Sequence, residues 1–280
     1  MENIIISNQA SFEKKKGSFK DAGISKVHVI ADFDKTLTKA FDNGKKVGSA
    51  IAQIRNNNYL SEEYTKQSFA LFDKYHPIEI DSTLCMEEKI LLMEEWWSKH
   101  LKLIVASGMK KDILVDIIKK DYLPAREGFE KFMKFFESKE VPVLILSAGL
   151  GDVIDGFLEK KKLLSENVHV ISNYFDFDEN GLAKGYKGSI VHVFNKDESQ
   201  IKNTPYFEKI LERMNVILLG DSVGDLKMTG QIPFNEIIRI GFLNENIEEN
   251  MVEYKKHFDV IIINDGSLEF VNQLLKELFE

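Results

Sequence analysis

The sequence has little cysteine, little proline and no long hydrophobic run. A single cysteine, Cys85, among 280 residues rules out an internal disulfide framework and any CxxC zinc or redox motif. Five prolines and 44% hydrophobic residues exclude a collagen-like or disordered chain. No segment reaches the roughly 18 consecutive apolar residues of a transmembrane helix. Lysines follow the first apolar residues instead of preceding them, unlike a signal peptide. We therefore expect a cytoplasmic protein without a membrane partner.

Acidic residues outnumber basic ones. The 45 Asp and Glu residues against 37 Lys and Arg give a net charge of −8, which disfavours binding to a nucleic acid polymer. A small anion can still bind where a metal ion or a few cations collect. At about 150 residues per domain, the length allows roughly two domains. We expect a monomer that acts on a small molecule.

Short apolar runs without alternation predict strands of a parallel sheet that is buried on both faces. Five such runs occur, at 27–31, 143–146, 216–219, 236–240 and 260–263. Helical patterns separate them, which predicts an α/β fold with a doubly wound, mostly parallel, Rossmann-like sheet. Such sheets bind ligands beyond the carboxyl ends of their strands, where polar residues follow the first three runs.

Residues from about 40 to 128 interrupt this alternation. They contain almost no strand-like run, and apolar residues recur 4, 3 and 4 positions apart across 86–97, after an N-cap cluster at 81–83. We predict a mainly helical cap, residues 40–128, inserted into an α/β core of residues 1–39 and 129–280.

Carboxylates follow two of the predicted strands. Asp32 and Asp34 lie two residues apart, so both side chains face one site on an extended chain. Asp221 and Asp225 follow another strand. Four carboxylates brought together raise one another's pKa unless a cation is present, and Mg²⁺ prefers hard oxygen ligands. The sequence therefore predicts a Mg²⁺ site formed by these four aspartates.

Further polar groups suit a phosphate. Ser147 offers a hydroxyl, Ala148 and Gly149 offer backbone N–H groups where a helix is predicted to begin, and Lys196 offers a positive charge. Each is ordinary by itself, as a turn or a surface lysine. Their occurrence in order with the acidic pairs, mostly behind buried strands, indicates a catalytic site.

These segments resemble known motifs. DFDKTLT, LSAG, the later lysine and GDSVGD resemble the four motifs of the haloacid dehalogenase superfamily of phosphohydrolases. Longer strings, among them YHPIEID, EEWW, SNYFDFDENG and KGYKGSIVHVFNKDE, are similar to the cytosolic pyrimidine 5′-nucleotidase family (type III). The resemblance runs from about residue 26 to the carboxyl terminus.

The resemblance implies a role for each matching core residue. Asp32 would be the nucleophile that forms an aspartyl-phosphate, and Asp34 the general acid for the leaving ribose oxygen and then the base for water. Asp32, the carbonyl of Asp34, and Asp221 would hold Mg²⁺, with Asp225 in support. Three residues would bind the phosphate: Ser147, Ala148 and Lys196.

In the cap, the resemblance implies contacts to the nucleobase. Glu79 falls where the family uses a glutamate to hydrogen-bond the base, although it also fits an exposed acid in a loop after Pro77. His100 aligns with a substrate-contacting serine of the family. Trp97 or its neighbour Trp96 either packs in the cap core or stacks on the base. The family's human-type members carry a Cys-Pro-Thr-Cys segment that this chain lacks, so the choice of base stays open.

These observations predict a Mg²⁺-dependent 5′-nucleotidase that hydrolyses UMP or CMP to nucleoside and phosphate. Glu79 accepting from the N–H groups of 7-methylguanine gives an alternative, a 7-methylguanosine monophosphate nucleotidase. Another phosphatase of the superfamily, for phosphoserine or a sugar phosphate, fits the core motifs but not the cap strings. A phospho-receiver domain or a nucleotide-binding protein without catalysis is a non-enzymatic alternative, disfavoured by the order and completeness of the motifs.

Two further features predict local structure only. The segment 176–181 begins like a calcium loop, but Lys187 stands where a bidentate glutamate is required, so we predict a hairpin turn at 179–181. Cys85 is expected to be a small buried hydrophobic residue.

Overall fold

The computed structural model describes residues 3–81, 83–197, 201–202, 204–230 and 232–280. The strands are β1 Ile4–Ile6, β2 Val27–Ala31, β3 Phe41–Asp42, β4 Lys45–Lys46, β5 Val143–Leu150, β6 Val168–Phe177, β7 Ala183–Lys187, β8 Asn215–Gly220, β9 Glu236–Leu243 and β10 Val260–Ile263. The helices are α1 Gln9–Ala22, α2 Ala50–Asn56, α3 Glu62–Ile80, α4 Met86–Ala106, α5 Lys111–Lys119, α6 Phe129–Ser138, α7 Gly151–Lys160, α8 Pro205–Ile210, α9 Ile247–His257 and α10 Glu269–Phe279.

Eight strands form the central sheet in the order β1-β10-β9-β8-β2-β5-β6-β7. The inner strands are parallel, while β1 and β7 pair antiparallel at the two edges. The predicted α/β class is confirmed. Because β2 lies between β8 and β5, Ala31 pairs with Leu219 on one side and Ile145 on the other. The carboxyl ends of these three strands therefore meet at one edge.

Alternate residues of the same strand enter different hydrophobic clusters. In β2, Val29 and Ala31 belong to the main cluster with side chains of α6 and α10. Ile30 between them belongs to a second cluster that includes side chains of α8. All five residues of β2 are buried, which explains why this strand shows no polar alternation in the sequence.

The segment between β2 and α6 contains the small β3–β4 hairpin and helices α2 to α5. Helices α3 and α4 pack against each other, while α2 contacts β5 and α5 contacts α7. The two connections to the core run side by side, since Lys39 N donates to Pro124 O and Arg126 N to Leu37 O, both at 2.9 Å. The division into core and cap at residues 40 and 128 stays a prediction.

Three local expectations have clear outcomes. The hairpin turn is confirmed, because β6 and β7 pair antiparallel around it and Gly181 N donates to Asp178 O. The alternative interpretation of Glu79 as an exposed acid in a loop after Pro77 is wrong, because α3 continues through this proline to Ile80. The burial expected for Cys85 is also wrong. Cys85 is exposed at the N-cap position of α4.

None of the helices within the described ranges is long and apolar enough to cross a membrane.

Candidate active site

The loop after β2 places two aspartates at the edge where the strands meet. Asp32 N donates to Leu219 O at 3.0 Å, which extends the pairing of β2 with β8 by one residue. The chain then turns sharply at Lys35, which has φ of +60°. This turn is held by Lys35 N donating to Thr38 Oγ1 at 2.9 Å and by the buried Arg126, whose guanidinium donates to the carbonyls of residues 35 and 36.

Lys196 links two strand ends by a buried ion pair. Its Nζ lies 2.5 Å from Asp32 Oδ1 and 2.7 Å from Asp225 Oδ1. All three residues are at most 5% exposed. A buried charge needs a paired partner, and here one cation serves two carboxylates.

Three of the four predicted metal ligands come together. Asp32, Asp221 and Asp225 each offer a carboxylate oxygen within 4.8 Å of the others, and Asp34 is not part of this group. Asp225 is fixed by Ser222, whose backbone N and Oγ both donate to Asp225 Oδ2 at 3.0 Å. A Cβ at Gly220 would lie 2.5 Å from the Cβ of Asp225, so only glycine fits at the end of β8.

The pKa values of three of the aspartates are raised, so additional positive charge is needed to keep them ionised together. Burial raises the pKa of Asp32 to about 6, against the lowering effect of Lys196. Burial and then the Asp32 carboxylate raise the pKa of Asp34 to about 7, and burial raises that of Asp221 well above its usual range. Burial lowers the pKa of Lys196, but Asp225 and Asp32 outweigh this effect and raise it.

A divalent cation fits this donor set. Asp32 Oδ2 and Asp34 Oδ1 are buried oxygens to which no hydrogen-bond donor is found among the described residues. Hard anionic oxygens in this number are the ligands that Mg²⁺ prefers. The carboxylates outnumber Lys196, the cation paired with them, so a bound metal ion would relieve their mutual repulsion.

The predicted phosphate-binding residues lie at an irregularity of β5. Leu146 pairs with Ile171 and Leu150 pairs with Asn173, so the three residues 147–149 bulge out of the ladder. Ser147 is buried, and its Oγ accepts from Gly149 N at 3.0 Å. A Cβ on Gly149 would lie 3.2 Å from both Asp34 Oδ2 and Ser147 Oγ. The bulge therefore lies directly against Asp34.

The start of α4 contacts a residue close to Lys196. Lys89 of α4 is 7% exposed, and its Nζ donates to the carbonyl of Glu79 at 3.0 Å. The same Nζ lies 5.4 Å from the ring centroid of Phe194, two residues before Lys196, and Lys227 lies 5.8 Å from this ring. The end of α3 is thus linked through Lys89 to Phe194 by a hydrogen bond and a cation–π contact.

Glu79 and His100 occupy different environments in the cap. The Glu79 carboxylate is half-buried and pairs with His76 Nδ1 at 3.1 Å. His100 is 6% exposed between α3 and α4, with Nε2 3.0 Å from Ser68 Oγ and 3.3 Å from Tyr64 OH. Burial, with a smaller effect from Arg55, lowers the pKa of His100 to about 4. His100 thus contacts the neighbouring helix.

The two adjacent tryptophans pack differently. Trp97 is half-buried against the main hydrophobic cluster. Trp96 stacks on Tyr75, with ring centroids 5.8 Å apart and planes 11° apart. Its Nε1 is buried, and no acceptor for it is found among the described residues. Met93 is fully buried as its helical spacing predicts, whereas Met86 is exposed at the start of α4. Within the described ranges, no hydrogen bond or ion pair joins Glu79, His100 or Trp97 to the core motifs.

Sequence reasoning missed several residues that hold these loops in place. Arg126 binds the loop after Asp34, the hydroxyl of Tyr254 donates to the carbonyl of Asp221, and Asn173 bonds the bulge of β5. Each of these side chains bonds to backbone atoms of residues that are distant in the sequence. Because any residue type offers a backbone carbonyl, no motif spacing indicates these contacts.

The chain is similar to known proteins over almost its whole length. The family model for pyrimidine 5′-nucleotidase (UMPH-1) matches residues 35–279. The 7-methylguanosine phosphate-specific 5′-nucleotidase A of Xenopus laevis is 39% identical over 276 residues, 98% of this chain and 95% of the relative. The human 7-methylguanosine phosphate-specific 5′-nucleotidase is 36% identical over 98% of this chain and 92% of its own length.

Solved structures agree with these sequence matches. The crystal structure of cytosolic 5′-nucleotidase IIIB bound to cytidine aligns with a TM-score of 0.88 at 29% identity, covering 99% of this chain and 94% of that chain. A substrate-bound phosphoserine phosphatase aligns with a TM-score of 0.53 at 17% identity, covering 88% and 96%. The latter likeness extends to the fold alone.

Proposed function

We propose, from the premise that this chain belongs to the pyrimidine 5′-nucleotidase (UMPH-1) family, that its preferred substrate is 7-methylguanosine 5′-monophosphate. The chain is a 5′-nucleotidase, a phosphoric monoester hydrolase. The sequence placed UMP and CMP first, but relatives from frog and human are named for 7-methylguanosine phosphate. CMP is the second candidate, because the solved structure of cytosolic 5′-nucleotidase IIIB is bound to cytidine. A Caenorhabditis elegans relative named as a putative cytosolic 5′-nucleotidase 3 supports the predicted cytoplasmic location.

The observation that carries the proposed chemistry is the buried group of Asp32, Lys196 and Asp225. The Oδ1 atom of Asp32 is held by Lys196, while Oδ2 has no partner among the described residues. This leaves Oδ2 available to attack the phosphorus atom and form an aspartyl-phosphate as the bond to the ribose 5′-oxygen breaks. Lys196 offsets negative charge at the nucleophile and at the transferred phosphoryl group.

Asp34 is proposed as the proton carrier. Its pKa of about 7, raised by burial and by Asp32, lets it hold a proton near neutral pH. It would give this proton to the departing 5′-oxygen in the first step. As a carboxylate it would then take a proton from water, whose oxygen attacks phosphorus and releases phosphate from Asp32.

Mg²⁺ is the cofactor that we propose, held by Asp32, Asp221, the backbone carbonyl of Asp34 and, in support, Asp225. When bound, it supplies positive charge that stabilises the phosphoryl oxygens. Ser147 would donate its hydroxyl proton to the phosphate, since its Oγ already accepts from Gly149 N. Ala148 N and Lys196 would complete the phosphate site.

The cap residues are proposed to choose the base. Glu79 stands at the end of α3, where Lys89 donates to its backbone carbonyl and also contacts the ring of Phe194, two residues before Lys196. A carboxylate there accepts from the N1–H and exocyclic amine of 7-methylguanine, or from the exocyclic amine of cytosine. It repels the carbonyl edge of uracil, which ranks UMP below both.

A substrate panel tests this proposal. Phosphate release would be measured from 7-methylguanosine monophosphate, GMP, CMP, UMP, AMP, phosphoserine and p-nitrophenyl phosphate, with Mg²⁺ and with EDTA. We expect the highest kcat/KM for 7-methylguanosine monophosphate, CMP second, and no turnover with EDTA. A higher kcat/KM for UMP than for both of these would contradict the role of Glu79. Turnover of phosphoserine alone would contradict the proposed substrate class.

A further inference from the structure

The bulge of β5 interrupts its pairing with β6. The ladder between β5 and β6 stops after Leu146 and resumes at Leu150, so residues 147–149 have no paired residue on β6. Buried carbonyls in such a bulge need a donor. One side chain provides it: the amide of Asn173, on β6, donates to Ala148 O at 2.8 Å and to Gly149 O at 3.2 Å.

The same amide reaches a second segment. Asn173 Nδ2 donates to Val191 O at 2.8 Å, and Val191 N donates to Asn173 Oδ1 at 2.9 Å. Both atoms of the side-chain amide therefore pair with one residue in the manner of a strand. Val191 immediately precedes the turn in which Lys196 N donates to His192 O at 3.1 Å. Asn173 is 2% exposed, so these bonds are shielded from water.

Peptide geometry carries the effect of Asn173 into the site. The peptide bonds are trans, so the C=O of residue 148 and the N–H of residue 149 point in opposite directions. Because Asn173 holds Ala148 O, it turns Gly149 N–H towards Ser147 Oγ, which accepts at 3.0 Å. The orientation of the Ser147 hydroxyl therefore depends on a residue outside the proposed set of phosphate-binding groups.

We propose that Asn173 is a positioning residue that sets the phosphate-binding bulge, through Ala148 and Gly149, in register with the turn that carries Lys196. One side chain thereby fixes two of the groups that hold the phosphoryl group, whereas the metal-binding aspartates follow β2 and β8 and have partners of their own there besides Lys196. The inference rests on the phosphate site of the proposed function, and it does not depend on which nucleobase the cap selects.

The test compares Asn173→Leu with Asn272→Leu. Asn272 is also a buried asparagine, 3% exposed, whose amide donates to a backbone carbonyl, that of Gly128, far from the site in the sequence. Calorimetric titration with inorganic phosphate in the presence of Mg²⁺, and titration with Mg²⁺ alone, would be measured for both variants and the unaltered chain. Melting temperatures would show that each variant is folded.

We expect Asn173→Leu to raise the Kd for phosphate about tenfold or more, because a displacement near 1 Å of positioning groups has effects of up to roughly 100-fold. Its Kd for Mg²⁺ should stay within about twofold, and Asn272→Leu should leave both constants unchanged. Asn173→Ser keeps one hydroxyl donor and should fall between Asn173→Leu and the unaltered chain. If Asn173→Leu does not fold, the Kd of Asn173→Ser for phosphate alone tests the proposal.

A phosphate Kd within twofold of the unaltered value, in whichever of the two Asn173 variants is folded, would overturn the inference. Equal weakening of phosphate and Mg²⁺ binding would also overturn it, since general loosening of the site would then be the cause. These constants involve no nucleotide, so failure of the substrate panel is separable from failure of this inference.

Discussion

Charged residues in the α/β core and in the helical segment differ in their burial and in how far away in the sequence their partners lie. In the core, Asp32, Asp225 and Lys196 come from three separate parts of the chain and are at most 5% exposed. In the helical segment, Glu79 pairs with His76, three residues away on the same helix, and both side chains are partly exposed. Core charges are fixed by long-range contacts, whereas the cap charge has a local and exchangeable partner.

This difference suits two separate tasks, the hydrolysis of the phosphomonoester and the selection of the nucleotide. Desolvated groups in a fixed arrangement provide the electrostatic stabilisation that phosphoryl transfer needs, whatever the leaving group. A half-buried glutamate at a helix end can be redirected by small changes in helix packing. We infer that the core is tied to phosphomonoester hydrolysis, while the helical segment determines which nucleotide is accepted.

The largest effect is expected from Asp32→Asn. Removing the nucleophile should lower kcat about 10⁴-fold or more on every substrate, nucleotide or not. Lys196 keeps its pairing with Asp225, so the variant should fold, which a melting curve would check. Retained turnover of p-nitrophenyl phosphate would show that the core chemistry does not depend on this carboxylate.

Asp34→Asn should have a smaller effect that depends on the leaving group. Loss of the proton donor should lower kcat on 7-methylguanosine monophosphate about 10²- to 10³-fold. The loss should be smaller on p-nitrophenyl phosphate in the first step, because p-nitrophenolate departs without a proton. Steady-state kinetics on both substrates give the loss in kcat, and the burst phase gives the rate of the first step. If Asp34→Asn lowers the rate of the first step equally for both substrates, Asp34 is not the general acid.

Glu79→Gln should act on nucleotides alone. Losing a charged hydrogen bond to the base should lower kcat/KM for 7-methylguanosine monophosphate roughly 10- to 100-fold, with no change for p-nitrophenyl phosphate. Glu63→Gln is a matched control, because Glu63 is an exposed acid on the same helix whose carboxylate accepts from Gln67. If both variants behave alike, Glu79 is not the base-selecting residue.

Of these variants, His100→Gln should change turnover at neutral pH the least. Its main effect should be on how the free energy of unfolding depends on pH. The pKa of His100 is lowered from 6.5 to about 4, first by burial and then by Arg55. Below pH 6.5 the unfolded chain binds a proton that the folded chain refuses, so this histidine lowers stability as pH falls from 6.5 to 4. The contribution is about 3 kcal/mol at most.

Urea unfolding between pH 4 and pH 7 checks this expectation. Buried aspartates with raised pKa values change stability in the opposite direction, so the informative quantity is the difference between His100→Gln and the unaltered chain. That difference should shift in favour of the variant as pH falls. A difference independent of pH would mean that His100 titrates normally.

The sequence predicted the core better than the cap for physical reasons. Strands β2, β5 and β8 are buried on both faces, so each appears as a continuous apolar run followed by its functional residue. Strand β6 was missed because half-buried residues break its pattern, and Asn173, which lies on it, was missed with it. Side chains that bond to distant backbone leave no periodic signal.

Helix packing overrode local signals in the cap. Pro77 predicts a break because it removes a backbone donor. Helix α3 nevertheless continues through it, since Tyr64 and Tyr75 on the same helix are fully buried. Cys85 and Met86 are of residue types that are usually buried, but they lie at the exposed turn where α4 begins. Their burial depends on the tertiary arrangement of two helices.

The division between chemistry and selection is tested most directly by one ratio in two variants. The ratio is kcat/KM for 7-methylguanosine monophosphate divided by kcat/KM for p-nitrophenyl phosphate, measured with Mg²⁺ in Asp225→Asn and in Glu79→Gln. We predict that Asp225→Asn lowers both constants and leaves their ratio within about threefold of the unaltered chain, while Glu79→Gln lowers the ratio at least about tenfold. A ratio that changes in Asp225→Asn and not in Glu79→Gln would contradict the assignment of chemistry to the core and selection to the cap.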